Sequence, residues 1–390
     1  MDPVRNPFAP GAGSPPPELA GRSKIIDDAN IALQRILIGR HSQSQMLLGL
    51  RGTGKTVLLN AIERLADSHR HATSFIEAPE DQSLQTLLYP KIHQVLRHFS
   101  GIEAAKAYAY SAMRSLQSFA SVFKISIGDV SLSVDPEPGN ADSGFLEYDL
   151  GDLFVRVGEA AKAANSAWTL LIDEVQYLSN DGLSALIVAI HRVNQRQLPI
   201  IFFGAGLPQL AALSGEAKSY AERLFAYPHI GALDEEAAID AITQPIKGEG
   251  CEISDEAVGA ILRKTECYPY FLQEWGYQSW NIAQSSPISA DDVEGASGPA
   301  LHRLDEGFFK VRFDRLTPKE RKYVSAMASL GRGPYKAAEV ADAMGENPKS
   351  LGPCRASIIH KGMIYSPSYG DIDFTVPMFD QFMRRMEEKK

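Results

Sequence analysis

The sequence of 390 residues has no apolar run long enough to form a membrane-spanning helix. Its longest apolar stretch, at 198–207, falls well short of the roughly 18–20 residues that cross a bilayer, and it suits a buried strand instead. The first 20 residues also lack the apolar segment of a secretory signal peptide. We therefore expect no contact with a membrane and a cytoplasmic location.

Cysteine is scarce in the chain. Cys251, Cys267 and Cys354 are scattered, odd in number and without C-x-x-C spacing. This pattern argues against a disulfide framework and against a zinc site, and it fits a reducing compartment.

Positive charge is also in the minority, with 39 Lys and Arg against 48 Asp and Glu and a net charge of −9. A protein that coats nucleic acid through bulk charge is therefore not expected. The charge is unevenly distributed, because residues 316–390 have a local excess of three positive charges while the remainder has a net charge of −12. A nucleic-acid contact, if the chain makes one, is predicted in this C-terminal part.

The chain is long enough for two or three domains, and its patterns change along its length. Apolar strands alternate with helices up to about residue 233, which predicts an α/β fold with a parallel sheet covered on both faces. Only helical patterns follow, with expected breaks at Pro245, Pro269 and Pro287, and then short helices and a hairpin. The predicted organisation is an extended arm at 1–20, a nucleotide-binding domain at 21–233 with a hairpin insertion at about 120–146, a helical lid at 234–314 and a terminal domain at 315–390.

A phosphate-binding loop is predicted after the first apolar strand. The sequence GLRGTGKT matches G-x-x-x-x-G-K-[ST], with a strand before it and a helix after it. Glycines allow backbone N–H groups to point at phosphate oxygens, the lysine reaches the β- and γ-phosphates, and the terminal hydroxyl can bind Mg²⁺. The predicted nucleotide-binding residues here are Gly49, Leu50, Arg51, Gly52, Thr53, Gly54, Lys55, Thr56 and the following Val57.

An acidic pair ends a second apolar strand, WTLLIDE at 168–174. Asp173 is predicted to hold Mg²⁺ together with Thr56, and Glu174 to polarise the attacking water. The expected ligands are therefore ATP and Mg²⁺, and the predicted activity is ATP hydrolysis with Lys55 and Glu174 as catalytic residues.

These two motifs resemble those of the AAA+ ATPases, specifically the origin-recognition-like group that includes archaeal replication initiators. The resemblance implies a P-loop NTPase sheet, an α-helical lid and a C-terminal winged helix. The segment PELAGR at 17–22 is similar to the family's P-x-L-x-G-R stretch, which implies that Leu19, Gly21 and Arg22 lie beside the adenine. The same segment is also compatible with a linker that ends in a helix cap.

The resemblance further implies an arginine finger just before the lid, where Arg223 is found. Such a finger acts on the nucleotide of a neighbouring subunit, which implies a homo-oligomer or a partner protein. Arg223 is equally compatible with an interdomain salt bridge.

Two departures from the family pattern favour a slow switch over fast hydrolysis. The strand at 200–206 ends in Gly204-Ala205-Gly206, where many AAA+ enzymes have a polar residue that orients water. At the lid, Pro269 follows Cys267-Tyr268 in place of a charged residue. That arrangement resembles the proline-bearing nucleotide contact of signalling NTPases.

The C-terminal segment resembles a winged helix, with three short helices followed by two strands. The third helix, predicted from residue 348, would enter the major groove of double-stranded DNA, with one residue on the wing. The predicted DNA contacts are Lys349, Ser350, Arg355, His360 and Lys361 of the helix and Tyr369 of the wing. Winged helices also mediate protein contacts, and an excess of three positive charges is modest for a DNA-binding domain.

The sequence thus predicts a nucleotide-gated AAA+ switch that acts on DNA or in a DNA-associated complex. Two alternatives stay open. One is a signalling-type NTPase whose winged helix makes protein contacts, and the other is a helper ATPase of a mobile element or defence system.

Overall fold

The structure is a computed structural model, and it describes residues 1–11, 19–125, 139 and 141–388. The predicted hairpin around Gly128 and Asp129 lies outside the described residues.

A parallel sheet forms the centre of the N-terminal part of the chain. Its strand order is β2-β3-β4-β1-β5, and β6 also pairs with β1. The three central strands are buried along their whole length, because their apolar residues have helices against both faces. The strands are β1 (Ser44–Gly49), β2 (Ala72–Glu77), β3 (Trp168–Asp173), β4 (Ile200–Gly206), β5 (Phe225–Ala226) and β6 (His229–Ile230).

Helices cover both faces of this sheet. One face packs against α1 and α2, and the other against a larger group formed mainly by α3 to α6. The helices are α1 (Ser23–Leu37), α2 (Lys55–Ser68), α3 (Leu84–Ser100), α4 (Lys106–Val122), α5 (Leu146–Ala163), α6 (Asn180–Gln195), α7 (Leu210–Ala217) and α8 (Ala221–Leu224). After β2 the chain forms α3 and α4 as separate helices, since α3 ends at Ser100 and Gly101, a poor helix former, follows it.

A helical unit, residues 234–314, comes next and begins at a cap in which Asp234 accepts from the backbone N–H of Ala237. Its elements are α9 (Glu235–Gly248), α10 (Asp255–Thr265), α11 (Pro269–Ile282), α12 (Ala290–Leu304), a π-helical segment (Asp305–Lys310) and α13 (Val311–Asp314). The predicted break at Pro245 is wrong, because this proline is buried inside α9.

The N-terminal arm, residues 1–11, packs on this helical unit. Phe8 is buried against Gly276 of α11, and the backbone carbonyl of Asp2 accepts a hydrogen bond from Trp280 Nε1 at 2.8 Å. Arg5 forms an ion pair with Glu249 at 2.9 Å. The arm is therefore held by apolar, polar and ionic contacts together.

A C-terminal unit, residues 315–388, contains a three-stranded antiparallel sheet of order β7-β9-β8. Its elements are α14 (Pro318–Ser329), β7 (Tyr335–Lys336), α15 (Ala337–Met344), α16 (Gly352–His360), β8 (Ile364–Tyr365), β9 (Asp371–Phe374) and α17 (Phe379–Glu388). The helix predicted from residue 348 begins only at Gly352. The side chain of Asn347 accepts from the N–H of Lys349 at 2.9 Å and forms a turn there, and Pro353 occupies the first helical turn.

Within the described ranges, no helix is both long enough and apolar enough to span a lipid bilayer.

Candidate functional site

The loop between β1 and α2 curls tightly at the carboxyl edge of the sheet. Gly54 has a φ of +92°, which favours glycine, and a Cβ added at Gly49 would lie 2.2 Å from the carbonyl oxygen of Ile230. The hydroxyl of Thr53 donates to the carbonyl of Leu50 at 2.9 Å, and the ammonium of Lys55 donates to the same carbonyl at 2.8 Å. The loop therefore encloses the lysine head group at the start of α2.

The acidic strand end lies beside this loop. The hydroxyl of Thr56 donates to Asp173 Oδ2 at 2.5 Å, and Asp173 Oδ1 accepts from the N–H of Glu174 at 2.8 Å. Glu174 has a φ of +54°, an uncommon conformation for a residue with a side chain, and it ends the buried strand at the edge of the site. The parallel pairing of the strands thus brings together residues that lie more than a hundred positions apart.

The site holds the positive charge of Lys55 close to the carboxylates of Asp173 and Glu174 in a largely buried environment. Burial lowers the pKa of Lys55, while the nearby carboxylates of Glu174 and Asp173 act in the opposite direction. Burial raises the pKa of Asp173, and the hydrogen bond from Thr56 opposes that rise. An added cation near Asp173 would favour its ionised form, and an added anion near Lys55 would favour the ammonium.

A cavity of about 610 Å³ opens over the loop, within the range of small-molecule and cofactor sites. Every part of the described chain contributes to its wall except the C-terminal unit. The arm contributes Ala9, Pro10 and Gly11. The sheet unit contributes Leu19, Ala20, Arg22, Arg51–Leu58, Glu77, Asp173, Glu174 and Leu233. The helical unit contributes Ala241, Pro269, Tyr270, Leu272, Gln273, Gly307, Phe308 and Arg312.

The loop backbone is bonded to both of the other units. The carbonyl of Gly52 accepts from the N–H of Tyr270 at 3.3 Å, and the carbonyl of Arg51 accepts from the hydroxyl of Tyr268. The N–H of Arg51 donates to the carbonyl of Thr375 in the C-terminal unit at 3.2 Å. Two consecutive loop residues are therefore in direct contact with the helical and the C-terminal units.

Comparison with known families matches two separate parts of the chain. Residues 18–203 match the family described as AAA ATPase domain. This part of the chain is an AAA ATPase domain. Residues 306–383 match a domain of unknown function, DUF8462. No curated protein is significantly similar to the chain. The predicted relation to the AAA+ P-loop ATPases is confirmed.

Structural alignments with solved proteins extend over nearly the whole chain. The Walker-type ATPase PABY2304 of Pyrococcus abyssi is 15% identical, with a TM-score of 0.57 over 94% of this chain and 96% of that one. The Orc1 protein of Aeropyrum pernix, solved in complex with DNA, is 12% identical, with a TM-score of 0.49 over 98% and 96%. The RuvB Holliday junction branch migration motor of Thermotoga maritima is 15% identical, with a TM-score of 0.45 over 90% and 92%. The first likeness confirms the predicted fold class, a P-loop sheet with helices on both faces.

The structure gathers most of the predicted nucleotide-binding residues of the AAA ATPase domain around the cavity. Leu19 and Arg22 line it on one side, where Arg22 donates to the carbonyl of Gly231, and Pro269 lines it from the helical unit. Gly21 lies just behind this wall with a φ of +67°, and an added Cβ would be 2.8 Å from the Cβ of Ala237. Gly49 and Leu50 form the base of the loop.

Arg223 does not line the cavity. It is exposed on α8, immediately before β5, and Phe225 of β5 pairs with Ser44 at the amino end of β1. Its backbone carbonyl accepts from the side chain of Gln43 at 2.9 Å. Because the phosphate loop follows the carboxyl end of β1, Arg223 lies at the opposite edge of the sheet from that loop.

The predicted DNA contacts fall into two groups. Lys349, Ser350, His360 and Tyr369 are exposed, and Arg355 is partly exposed. Lys361 is instead engaged inside the C-terminal unit, where its ammonium contacts Glu320 Oε2 at 2.6 Å and the carbonyl of Arg315 at 3.1 Å. In this conformation its charge is already compensated.

Gln176 is a site residue that sequence reasoning missed. Its amide nitrogen donates to the carboxylate of Glu174, and its Oε1 accepts from the N–H of Leu207 at 3.1 Å. An added Cβ at Gly206 would lie 2.6 Å from that oxygen, so the glycine at the end of β4 makes room for the glutamine. The end of β4, Gly204-Ala205-Gly206, has no polar side chain of its own, but the side-chain amide of Gln176 lies beside it.

Proposed function

We propose that this chain binds and hydrolyses ATP with Mg²⁺ and works as a nucleotide-gated switch. The observation that carries the proposal is the phosphate loop itself, whose backbone is hydrogen-bonded to Tyr270 of the helical unit and to Thr375 of the C-terminal unit. A phosphate group bound by this loop would change the environment of both contacts. The family match to an AAA ATPase domain supports the nucleotide as the ligand.

The oxygen atoms at the loop fit a magnesium ion. The Thr56 hydroxyl and the Asp173 carboxylate lie within 2.5 Å of each other, and both are hard oxygen ligands. Mg²⁺ is commonly held by one or two protein oxygens together with substrate phosphates and water, and this pair meets that requirement. When bound, the ion would neutralise charge on the phosphate oxygens.

The remaining residues have separate roles in the proposed hydrolysis. Lys55 would stabilise negative charge on the transferred phosphoryl group, and Glu174 would accept the proton of the attacking water as the bond between the γ-phosphorus and its bridging oxygen breaks. Gln176 would hold the Glu174 carboxylate in place. Arg223 of a second copy would add positive charge at the same phosphoryl group.

The C-terminal unit is the proposed output of the switch. Three helices, a small antiparallel sheet and the terminal helix α17 make up this unit, and this order supports a winged helix. The exposed Lys349 and the partly exposed Arg355 support the proposal that it contacts duplex DNA. A specific observation favours a second candidate, a signalling-type switch with a protein partner. Lys361 is neutralised by Glu320, and Gly362 lies so close to the loop that an added Cβ would be 2.6 Å from Arg51 Nη2. The carboxyl end of α16 is thus occupied by the AAA ATPase domain in this conformation.

The first test is nucleotide binding by calorimetry in the parent and in Lys55→Ala. We expect ATP affinity to fall about 10- to 100-fold in the variant, because a buried charge-assisted contact to phosphate is lost. The exposed Lys162 of α5 provides the matched control, and Lys162→Ala should bind ATP like the parent. Equal ATP affinity in the parent and in Lys55→Ala would overturn the proposal.

A further inference from the structure

Arg312 lies in the hinge between the helical unit and the C-terminal unit, and it also lines the cavity. It belongs to α13, which follows directly on the π-helical segment Asp305–Lys310. Segments of π-helix are rare and occur often at functional sites. The hinge is therefore the place where the cavity wall and the connection to the C-terminal unit coincide.

The Arg312 guanidinium is held in a fixed orientation. Its central carbon lies 4.1 Å from the centroid of the Phe308 ring, and its Nη1 donates to the carbonyl of the same residue. The Phe308 ring in turn stacks on Tyr270, with centroids 4.5 Å apart and planes at 19°. A guanidinium fixed in this way would lose little conformational freedom when it binds an anion.

Two arginines in the cavity wall each have a hydrogen-bond donor that no described residue accepts. The Nε atoms of Arg312 and Arg51 are both buried, and neither has a hydrogen-bond partner among the described residues. Leaving a buried donor unpaired is costly, and for charged groups more so. Burial and the neighbouring Arg51 lower the pKa of Arg312 to about 10. The guanidinium groups of Arg312 and Arg51 repel each other, and each has an unpaired Nε donor. A bound anion would relieve the repulsion and accept hydrogen bonds from these donors.

Arg312 lies at the end of the cavity that contains the phosphate loop. It lies within electrostatic range of Arg51 and Glu174, which belong to the loop and the acidic strand end. The cavity wall also includes Arg22, Leu233 and Ala241. Glu174 is the proposed base for water that attacks the terminal phosphate, so an anion near it and Arg312 would be that phosphate.

We propose that Arg312 and Arg51 together bind the terminal phosphate of a nucleoside triphosphate and that Arg312 transmits its presence to the C-terminal unit. This inference rests on the nucleotide binding proposed above. Arg315, one turn further along the hinge, forms an ion pair with Glu80 at 2.7 Å, and its carbonyl accepts from Lys361 at 3.1 Å. A shift of Arg312 toward a phosphate would act directly on these contacts of the C-terminal unit.

The test compares ATP and ADP binding, each with Mg²⁺, by calorimetry in the parent, Arg312→Gln and Arg312→Lys. In Arg312→Gln we expect ATP affinity to fall about 10- to 100-fold and ADP affinity to change less than about 3-fold, because ADP lacks the terminal phosphate. Arg312→Lys keeps the charge but loses the planar fork, so its preference for ATP over ADP should fall by about 3- to 10-fold.

Arg321 provides the matched control in the same region. Its guanidinium lies 5.0 Å from the Phe313 ring centroid and donates to Leu316 and Asp314, but it does not line the cavity. Arg321→Gln should leave both affinities unchanged. An equal loss of ATP and ADP affinity in Arg312→Gln, or an unchanged ATP preference in Arg312→Lys, would overturn the inference while the proposed function stands. A parent that binds neither nucleotide would overturn the proposed function and this inference with it.

Discussion

Glu174 is a residue whose chemistry depends on two neighbours. The backbone N–H of Glu174 is bound by Asp173, and its carboxylate accepts from Gln176. These contacts fix both the backbone and the side chain at the point where a water molecule would be polarised. Both hydrogen bonds are made by a residue whose backbone has an uncommon positive φ of +54°.

Glu174→Gln should separate binding from hydrolysis. We expect ATP affinity to stay within about 3-fold of the parent, since Lys55, Thr56 and Asp173 remain, and the hydrolysis rate to fall about 10²- to 10⁴-fold with the loss of the base. Phosphate release at saturating ATP measures the rate. A matched variant, Gln176→Ala, should show a smaller loss of rate with the same ATP affinity. If Glu174→Gln hydrolyses ATP as fast as the parent, Glu174 is not the base.

Arg223 can be tested by mixing two inactive proteins. Arg223→Ala keeps its own phosphate loop, and Lys55→Ala keeps its own finger, so a mixed oligomer would contain some complete sites. We expect ATP hydrolysis to recover partly in the mixture but in neither protein alone. Native mass spectrometry would verify that mixed oligomers form, and in their presence a complete lack of recovery would exclude a finger role.

The residues of the site differ in how far sequence could predict them. Gly49–Thr56 and Asp173 belong to contiguous motifs whose flanking strand and helix are local, so their positions follow from the pattern. Arg312 reaches the site only because separate elements pack together, and no local spacing signals such a contact. A polar residue two positions after the acidic pair was the one available sign of Gln176.

At the scale of elements, α14 begins at a capping box that is also an internal ion-pair site. Thr317 and Glu320 cap each other's backbone N–H groups, and Glu320 also accepts from Ser357 and Lys361 at 2.6 Å each. Burial alone would raise the pKa of Glu320, but the hydrogen bonds from Lys361, Ser357 and Thr317 outweigh it and lower the pKa to about 2. This carboxylate connects α14 to α16.

The lowered pKa of Glu320 predicts a pH-dependent stability of the C-terminal unit. Because the folded pKa is below the ordinary value of 4.5, the stabilisation is present above about pH 5 and is lost as pH falls toward 2. Glu320→Gln should reduce the opening free energy of α14, measured by hydrogen exchange, by about 2–3 kcal/mol at pH 7 and by much less at pH 3. The exposed Lys319–Glu346 pair gives the control, and Glu346→Gln should cost under about 1 kcal/mol at either pH. An equal cost of Glu320→Gln at both pH values would contradict this prediction.

The elements that sequence predicted well are those with long apolar patterns. The strands β1, β3 and β4 are buried throughout, and their runs were sufficient to place them. The two-residue strands β5 and β6 carry no such pattern, because their pairing with β1 depends on where the preceding chain returns to the sheet. The start of α16 differs from the predicted residue 348, because the side chain of Asn347 forms a turn with Lys349 and Pro353 occupies the first helical turn.

At the scale of the whole molecule, DNA binding by the C-terminal unit stays a prediction, and charge reversal in this unit tests it. In a salt series with duplex DNA, reversing Lys349 and Arg355 to Glu should weaken binding and flatten the salt dependence, by roughly one unit of slope for each lost phosphate contact. ATP affinity should stay unchanged, because neither residue lines the cavity.

Lys361 supplies the internal control for that experiment. Its ammonium is already paired with Glu320, so Lys361→Ala should destabilise the C-terminal unit and leave the salt slope as in the parent. A parent that shows no duplex affinity with or without ATP would favour the protein-contact alternative.

The arm residues Ala9, Pro10 and Gly11 form part of the cavity wall, and Phe8 fixes them to α11. A bound nucleotide would be enclosed between this arm and the phosphate loop. Its dissociation rate would then depend on how often Phe8 leaves its place on the helical unit, whereas its equilibrium affinity would depend mainly on the loop. Residence time and affinity would thus be set by different parts of the molecule, and a change at Phe8 would shorten the first with little effect on the second.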